Sequence, residues 1–127
     1  MGTFSPDGQM QSTWYVRVGS TFKKRYVWRT GDPAAGVDLT GWTARSHVRS
    51  KLGAPDHLLE LTTENGGITL GPDGGIDVFI DYGPDGTELL SDQKKAVFDI
   101  ELTSPDASFR RNLIGGTIAV YGEVTQP

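Results

Sequence analysis

Cysteine is absent from the 127 residues, which excludes disulfide frameworks, thiolate metal sites and cysteine nucleophiles. No apolar run approaches the ~20 residues of a membrane-crossing helix. The leader MGTFSPDGQMQS lacks both a basic n-region and an apolar h-region, so the chain is expected to be soluble and without a secretory address. The His-Glu-x-x-His, Gly-x-Ser-x-Gly and Walker motifs are missing, as is a strand-linked Gly-x-Gly-x-x-Gly. Positive charge is in deficit: 12 Lys and Arg stand against 16 Asp and Glu, net −4. That balance favours solubility and offers nucleic acid or anionic lipid no general attraction.

Glycine and turn-forming residues are abundant instead. Seventeen Gly and seven Pro punctuate a chain that is still 36% hydrophobic, so many turns between short strands are expected rather than disorder. The length falls below one typical ~150-residue domain, and a core of this size needs no staple. The chain therefore reads as a polar N-terminal arm, residues 1–12, followed by one domain, residues 13–127.

Period-two alternation marks the strands. STWYVRV and FKKRYVWR, separated by Gly19-Ser20, read as a hairpin or strand pair; in the second run Phe22, Lys24, Tyr26 and Trp28 share one face and Lys23, Arg25, Val27 and Arg29 the other. From Trp42 to Ser50 the inward set is Trp42, Ala44, Ser46 and Val48, with Thr43, Arg45, His47 and Arg49 outward. Leu58 to Thr62, Ile68 to Leu70 and Ile76 to Asp81 follow, separated by Glu64-Asn65-Gly66-Gly67 and by Gly71-Pro72-Asp73-Gly74-Gly75. Asp85-x-x-Glu88 has capping-box spacing and predicts one or two helical turns near Glu88 to Gln93. Lys95 to Thr103 alternates most cleanly, with Ala96, Phe98, Ile100 and Leu102 inward. Phe109 to Ile114 and Thr117 to Val124 close the chain, with Gly115-Gly116 between them. The expected fold is all-β: an antiparallel immunoglobulin-like β-sandwich with one short helical turn, a small barrel being the alternative. The Cys-Trp-Cys pattern of antibody domains is missing, so the expectation concerns layering alone.

Groups suited to catalysis are few. His47 lies on an outward face between Arg45 and Arg49 with no carboxylate beside it in sequence, which reads as a surface histidine, since a base needs an orienting partner. His57 and Glu60, three apart, point to opposite faces if both lie on a strand, so a shared metal is not expected. Asp73, Asp77 and Asp81 lack the EF-hand order of ligands, and the Pro-Asp pairs at Pro6, Pro55, Pro72, Pro84 and Pro105 read as turn chemistry. Lys23, Lys24, Arg25 and Arg29 interleave with aromatics, a faint echo of nucleic-acid surfaces, but pairing of Lys23, Arg25 and Arg29 with Asp99 and Glu101 explains them more simply. Trp14, Trp28 and Trp42 have inward parity and read as core anchors rather than a sugar platform. No catalytic residue, metal ligand or cofactor site is expected. The residues singled out for partner contact are Phe4 in the arm, then Lys23, Arg25, Arg29, Arg45 and Arg49.

Between Val37 and Thr125 the chain carries a set of short motifs: Leu39-Thr40-Gly41-Trp42, the turn Thr63-Glu64-Asn65-Gly66-Gly67-Ile68, Asp99-x-Glu101-Leu102-Thr103, and Gly116-x-x-x-Val120. As a set they resemble a family of small tail and baseplate-associated proteins of tailed bacteriophages and prophages, and the N-terminal β-sandwich of phage baseplate upper proteins. The resemblance implies a non-enzymatic virion component of the tail, baseplate or fibre attachment, assembled in the host cytoplasm. It would bind other virion proteins as a symmetric homo-oligomer, without nucleic acid or membrane. A capsid decoration or head-fibre protein and a carbohydrate-binding module are the alternatives. Longer relatives continue into fibre or receptor-binding segments; this chain ends at Pro127 and is not expected to carry such a tip. The arm offers a strand-addition contact to a neighbour.

Overall fold

Strands that bury every second side chain need a second layer against which to close, and that requirement sets the architecture. The computed structural model describes residues 9–122 and the backbone of Thr3–Phe4. The Phe4 side chain, Pro6-Asp7-Gly8 and the final expected strand beyond Gly122 lie outside the described residues. The strands are β1 (Thr3–Phe4), β2 (Met10–Arg17), β3 (Phe22–Val27), β4 (Arg29–Thr30), β5 (Ala35–Gly36) and β6 (Thr43–Arg49). They continue with β7 (Leu59–Thr62), β8 (Ile68–Leu70), β9 (Gly75–Ile80), β10 (Lys95–Thr103) and β11 (Arg110–Tyr121), with one 3-10 turn at Thr87–Leu90.

The larger sheet has the order β1-β2-β11-β10-β6-β7, the smaller β3-β9-β8, and β4 and β5 form a separate ribbon. With β3, β9 and β8 as strands B, E and D, and β11, β10, β6 and β7 as G, F, C and C′, this is an immunoglobulin-like sandwich. Inward parity holds as the sequence predicts: Ala44, Ser46 and Val48 on β6, Ala96, Phe98, Ile100 and Leu102 on β10, and Ile76, Val78 and Ile80 on β9 are all buried.

Several connections differ from expectation. Gly19-Ser20 joins no hairpin: β2 pairs with β11 and β3 with β9, in opposite sheets. Gly19, at φ 86°, carries the chain across the sandwich, and Val18 N–H bonds the Tyr121 carbonyl at 2.8 Å to finish the β2 ladder. Because β2 enters the sheet beside the last strand and leaves at the far end, it runs parallel to β11, the one departure from antiparallel pairing among the described strands. β2 begins at Met10, so the sheet takes up the last three residues of the expected arm, and Thr3–Phe4 pairs back onto it. Gly115-Gly116 does not divide the last strand. A Cβ at Gly116 would be driven into the Ser12 carbonyl, so glycine lets β2 approach β11. The one irregularity lies earlier, where the partner of β10 jumps from Ile114 at Ile100 to Asn112 at Glu101, leaving Leu113 as the bulged residue.

The predicted capping box does not form. Gly86 starts the 3-10 turn without a side-chain cap, because Thr87 N–H and Glu88 N–H already donate to the carbonyls of Asp81 and Gly83 at 2.8 and 3.4 Å. The Pro105-Asp106 turn behaves as turn chemistry should. Asp106 accepts from Ser104 Oγ and from Ser108 N–H and Oγ, and these bonds, led by the Ser108 hydroxyl, hold its carboxyl down to about 2.

Trp14 crosses the interior. It is wholly buried, stacks on Phe98 of β10 at 3.7 Å between centroids, and donates its indole N–H to Tyr26 Oη at 2.7 Å. Tyr26 Oη in turn donates to Ser12 Oγ at 2.7 Å, so the polar atoms of a large apolar plug are all partnered. Burial pushes the Tyr26 phenol above its ordinary value, only partly offset by the bonds to Ser12 and Trp14. This contribution to stability is present at neutral pH and is lost as pH rises past about 10. Strand β6 places small inward residues where antibody domains carry their tryptophan, and Ser46 Oγ is buried without a partner.

Phe98→Ala is expected to lower the unfolding free energy by about 3–5 kcal/mol in urea titration. Ser46→Ala is expected to leave it unchanged or raise it, by up to about 1 kcal/mol, since it removes an unpaired buried hydroxyl.

Candidate functional site

The outer face of the larger sheet holds a groove of about 730 Å³. Its floor comes from β6, β10 and β11: Arg45, His47 and Arg49, then Val97, Asp99 and Glu101, then Asn112, Gly115 and Thr117. The segment 52–55 and Gln9 wall it, the Gln9 amide lying over Gly115, where a Cβ would come within 2.8 Å of it. Its charges are largely matched within the face. Glu101 lies 3.7 Å from both Arg45 and Arg110, and Asn112 donates to Asp99 at 2.8 Å. Such exposed pairs contribute about 0–1 kcal/mol each, so they order the surface more than they stabilise the fold.

At one end of the groove the β6–β7 pairing sets His47 opposite Glu60. His47 Nε2 is 2.9 Å from Glu60 Oε2, and Arg49 donates to His47 Nδ1 at 3.2 Å and to the Ala54 carbonyl at 3.0 Å. His57 stacks on His47, centroids 4.4 Å apart and planes 22° from parallel. One ligand atom from each of His47, His57 and Glu60 lies within 4.8 Å of the others. The hydrogen bond from His47 is the largest cause of a Glu60 pKa below the ordinary carboxylate value, and burial opposes it.

This arrangement corrects two expectations. His47 is not an unpartnered surface histidine, and His57 does not point away from Glu60, because β7 begins at Leu59 and strand alternation does not govern His57. The signal was the hairpin itself: pairing Val48 with Leu59 across the KLGAPD turn puts His47 opposite Glu60.

The expected partner-contact residues do not gather. Lys23 and Arg25 lie on the outer face of the smaller sheet, Arg29 on the β4–β5 ribbon, and Arg45 and Arg49 in the groove on the opposite side. The expected pairing with Asp99 and Glu101 fails because those carboxylates belong to the other sheet; Arg25 meets Asp77 at 3.7 Å instead. Of the tryptophans, Trp14 is buried, while Trp28 and Trp42 are half-buried and meet edge to face at 5.7 Å. Tyr15 and Tyr121 were not singled out by sequence. Both point outward on β2 and β11, 66% and 45% exposed, with the Arg17 guanidinium 5.6 Å from the Tyr121 ring.

Neither the family models nor the curated proteins include a match to this chain. Among solved structures, it is similar to voltage-gated sodium channel β subunits studied for multimeric cell-adhesive interactions, at 11% identity over 91% of this chain and 93% of that one, TM-score 0.46. The extracellular domain of the sodium channel β4 subunit, which forms parallel homodimers, gives 11% identity over 90% and 93%, TM-score 0.42. Murine CRIg gives 11% over 87% and 92%, TM-score 0.36. None of these likenesses bears on what the chain does.

The lowered Glu60 pKa means that the contact with His47 adds stability above the ordinary carboxylate range and loses it as pH falls through the lowered value. In carbon-13 NMR titration, His47→Ala is expected to move the Glu60 midpoint back up towards its ordinary value, with the fold unchanged.

Proposed function

We propose that this chain is a non-enzymatic structural component of a bacteriophage virion, a tail, baseplate or fibre-attachment module that holds neighbouring virion proteins. The sequence resemblance supports the virion setting. The observation that carries the docking role is the outer face of the larger sheet, where exposed Tyr15 and Tyr121 flank Arg17 on the same face as a groove rimmed by Leu52, itself 93% exposed. Tyrosine and arginine are the residue types that supply much of the energy at protein interfaces, through large rigid area and forked donors. A hydrolytic reading has less support: the second nitrogen of His47 faces Arg49, not the hydroxyl that a nucleophile–base pair requires.

The test is particle incorporation. The double substitution Tyr15→Ser and Tyr121→Ser is expected to leave the folded domain intact by circular dichroism but to cut its recovery in purified particles by about tenfold or more. Labelling of an N-terminal tag is expected to mark the tail. Labelling across the shell would favour a capsid decoration protein, and absence from purified particles would contradict the virion role altogether.

A further inference from the structure

We propose that His47, His57 and Glu60 form a binding site for a divalent transition-metal ion, with Zn²⁺ the ion that fits best, and that the ion ties the β6–β7 connection to the end of the groove. The inference is independent of the virion reading, and failure of either leaves the other standing.

Two imidazoles and one carboxylate form a donor set suited to zinc, leaving a fourth position for water or for a side chain from a partner. Hard cations such as Ca²⁺ prefer all-oxygen cages, which this cluster does not offer. The geometry is close to what is needed. Ligands about 2.0–2.1 Å from a tetrahedral ion sit roughly 3.3 Å from one another. Here His47 Nε2 and Glu60 Oε2 are already 2.9 Å apart, and all three donors lie within 4.8 Å. His57 and Glu60 are exposed and His47 is half-buried, so rotamer changes of about an ångström close the set without moving a strand.

The scaffold supplies each ligand from a different part of the hairpin. His47 and Glu60 face each other across the β6–β7 ladder, and His57 comes from the connection just before β7. The stacked rings hold His57 over His47. An ion here would therefore close the loop from Ser50 to Leu58, adding a tie that the polypeptide lacks for want of cysteine.

Arg49 is the competing group. Its guanidinium donates to His47 Nδ1, which requires that nitrogen to be without a proton. When Nε2 gives its lone pair to a metal, the neutral ring carries its proton on Nδ1, and the arginine contact must be released. Arg49 keeps its bond to the Ala54 carbonyl through the other nitrogen, so release needs only a small rotation. Arg49 thus acts on the metal through His47, as a positioning residue.

The chain contains two histidines, both in this cluster, so untagged protein gives a clean assay. Zn²⁺ competed against a chromophoric chelator is expected to bind with one-to-one stoichiometry and a micromolar or lower Kd, with no comparable binding of Ca²⁺. His57→Ala and Glu60→Gln are each expected to weaken binding by about tenfold or more, and Arg49→Met to strengthen it. Saturating Zn²⁺ is expected to raise the thermal midpoint of the wild type by several degrees and to leave that of His57→Ala unchanged. No binding below millimolar Zn²⁺, another stoichiometry, affinity unaffected by either ligand substitution, or no gain in Arg49→Met would overturn the site.

Discussion

The structure depends on burying one indole between two sheets without leaving its N–H unpaired. Trp14 comes from β2 of the larger sheet, stacks on Phe98 of β10, and bonds Tyr26 of the smaller sheet, which bonds back to Ser12 of β2. Three strands and both layers therefore meet at one side chain. Antibody-type sandwiches join their layers with a disulfide packed on a tryptophan from strand C. This chain has no cysteine and small residues at the inward positions of the corresponding strand, Ala44 and Ser46. The large inward ring comes instead from the first long strand, as Trp14. The interlock is noncovalent, so its strength lies in close packing and in a satisfied hydrogen bond at low dielectric.

That anchor has a consequence on the outside of the sheet. Side chains alternate along β2, so locking Trp14 and Val16 inward holds Tyr15 and Arg17 outward. Further along the same pair of strands, Gly116 allows close approach of β2, and Gly115 seats the Gln9 side chain at the wall of the groove. The same strand thus secures the core and presents the surface on which the proposed docking role rests. A rigid scaffold limits the ordering cost of association, which is why such faces bind well from modest area.

The period-two pattern made most of the fold legible. Every inward residue assigned to β9 and β10 is buried, and the breaks between strands fall at the Gly, Pro and Asn clusters. What the pattern does not encode is which strands share a sheet. Gly19-Ser20 looks like a hairpin because turn chemistry is local, whereas a change of layer depends on distant partners; the parallel β2–β11 pair is hidden for the same reason. The site was less legible. His47 and Glu60 are brought together by hairpin register, and His57 by a loop to which no alternation rule applies. The Asp85–Glu88 spacing misled in the opposite direction, because backbone carbonyls satisfied the donors that a capping box would have served.

The interlock is tested most directly by hydrogen exchange of the Trp14 indole N–H, followed by NMR under native conditions. If Trp14 joins the sheets as described, this proton exchanges only through global unfolding, with a free energy equal to that from urea denaturation and with the same denaturant dependence. Exchange through a local opening, at markedly lower free energy and insensitive to urea, would show that β2 detaches while the remaining sandwich stays folded, and would contradict the account.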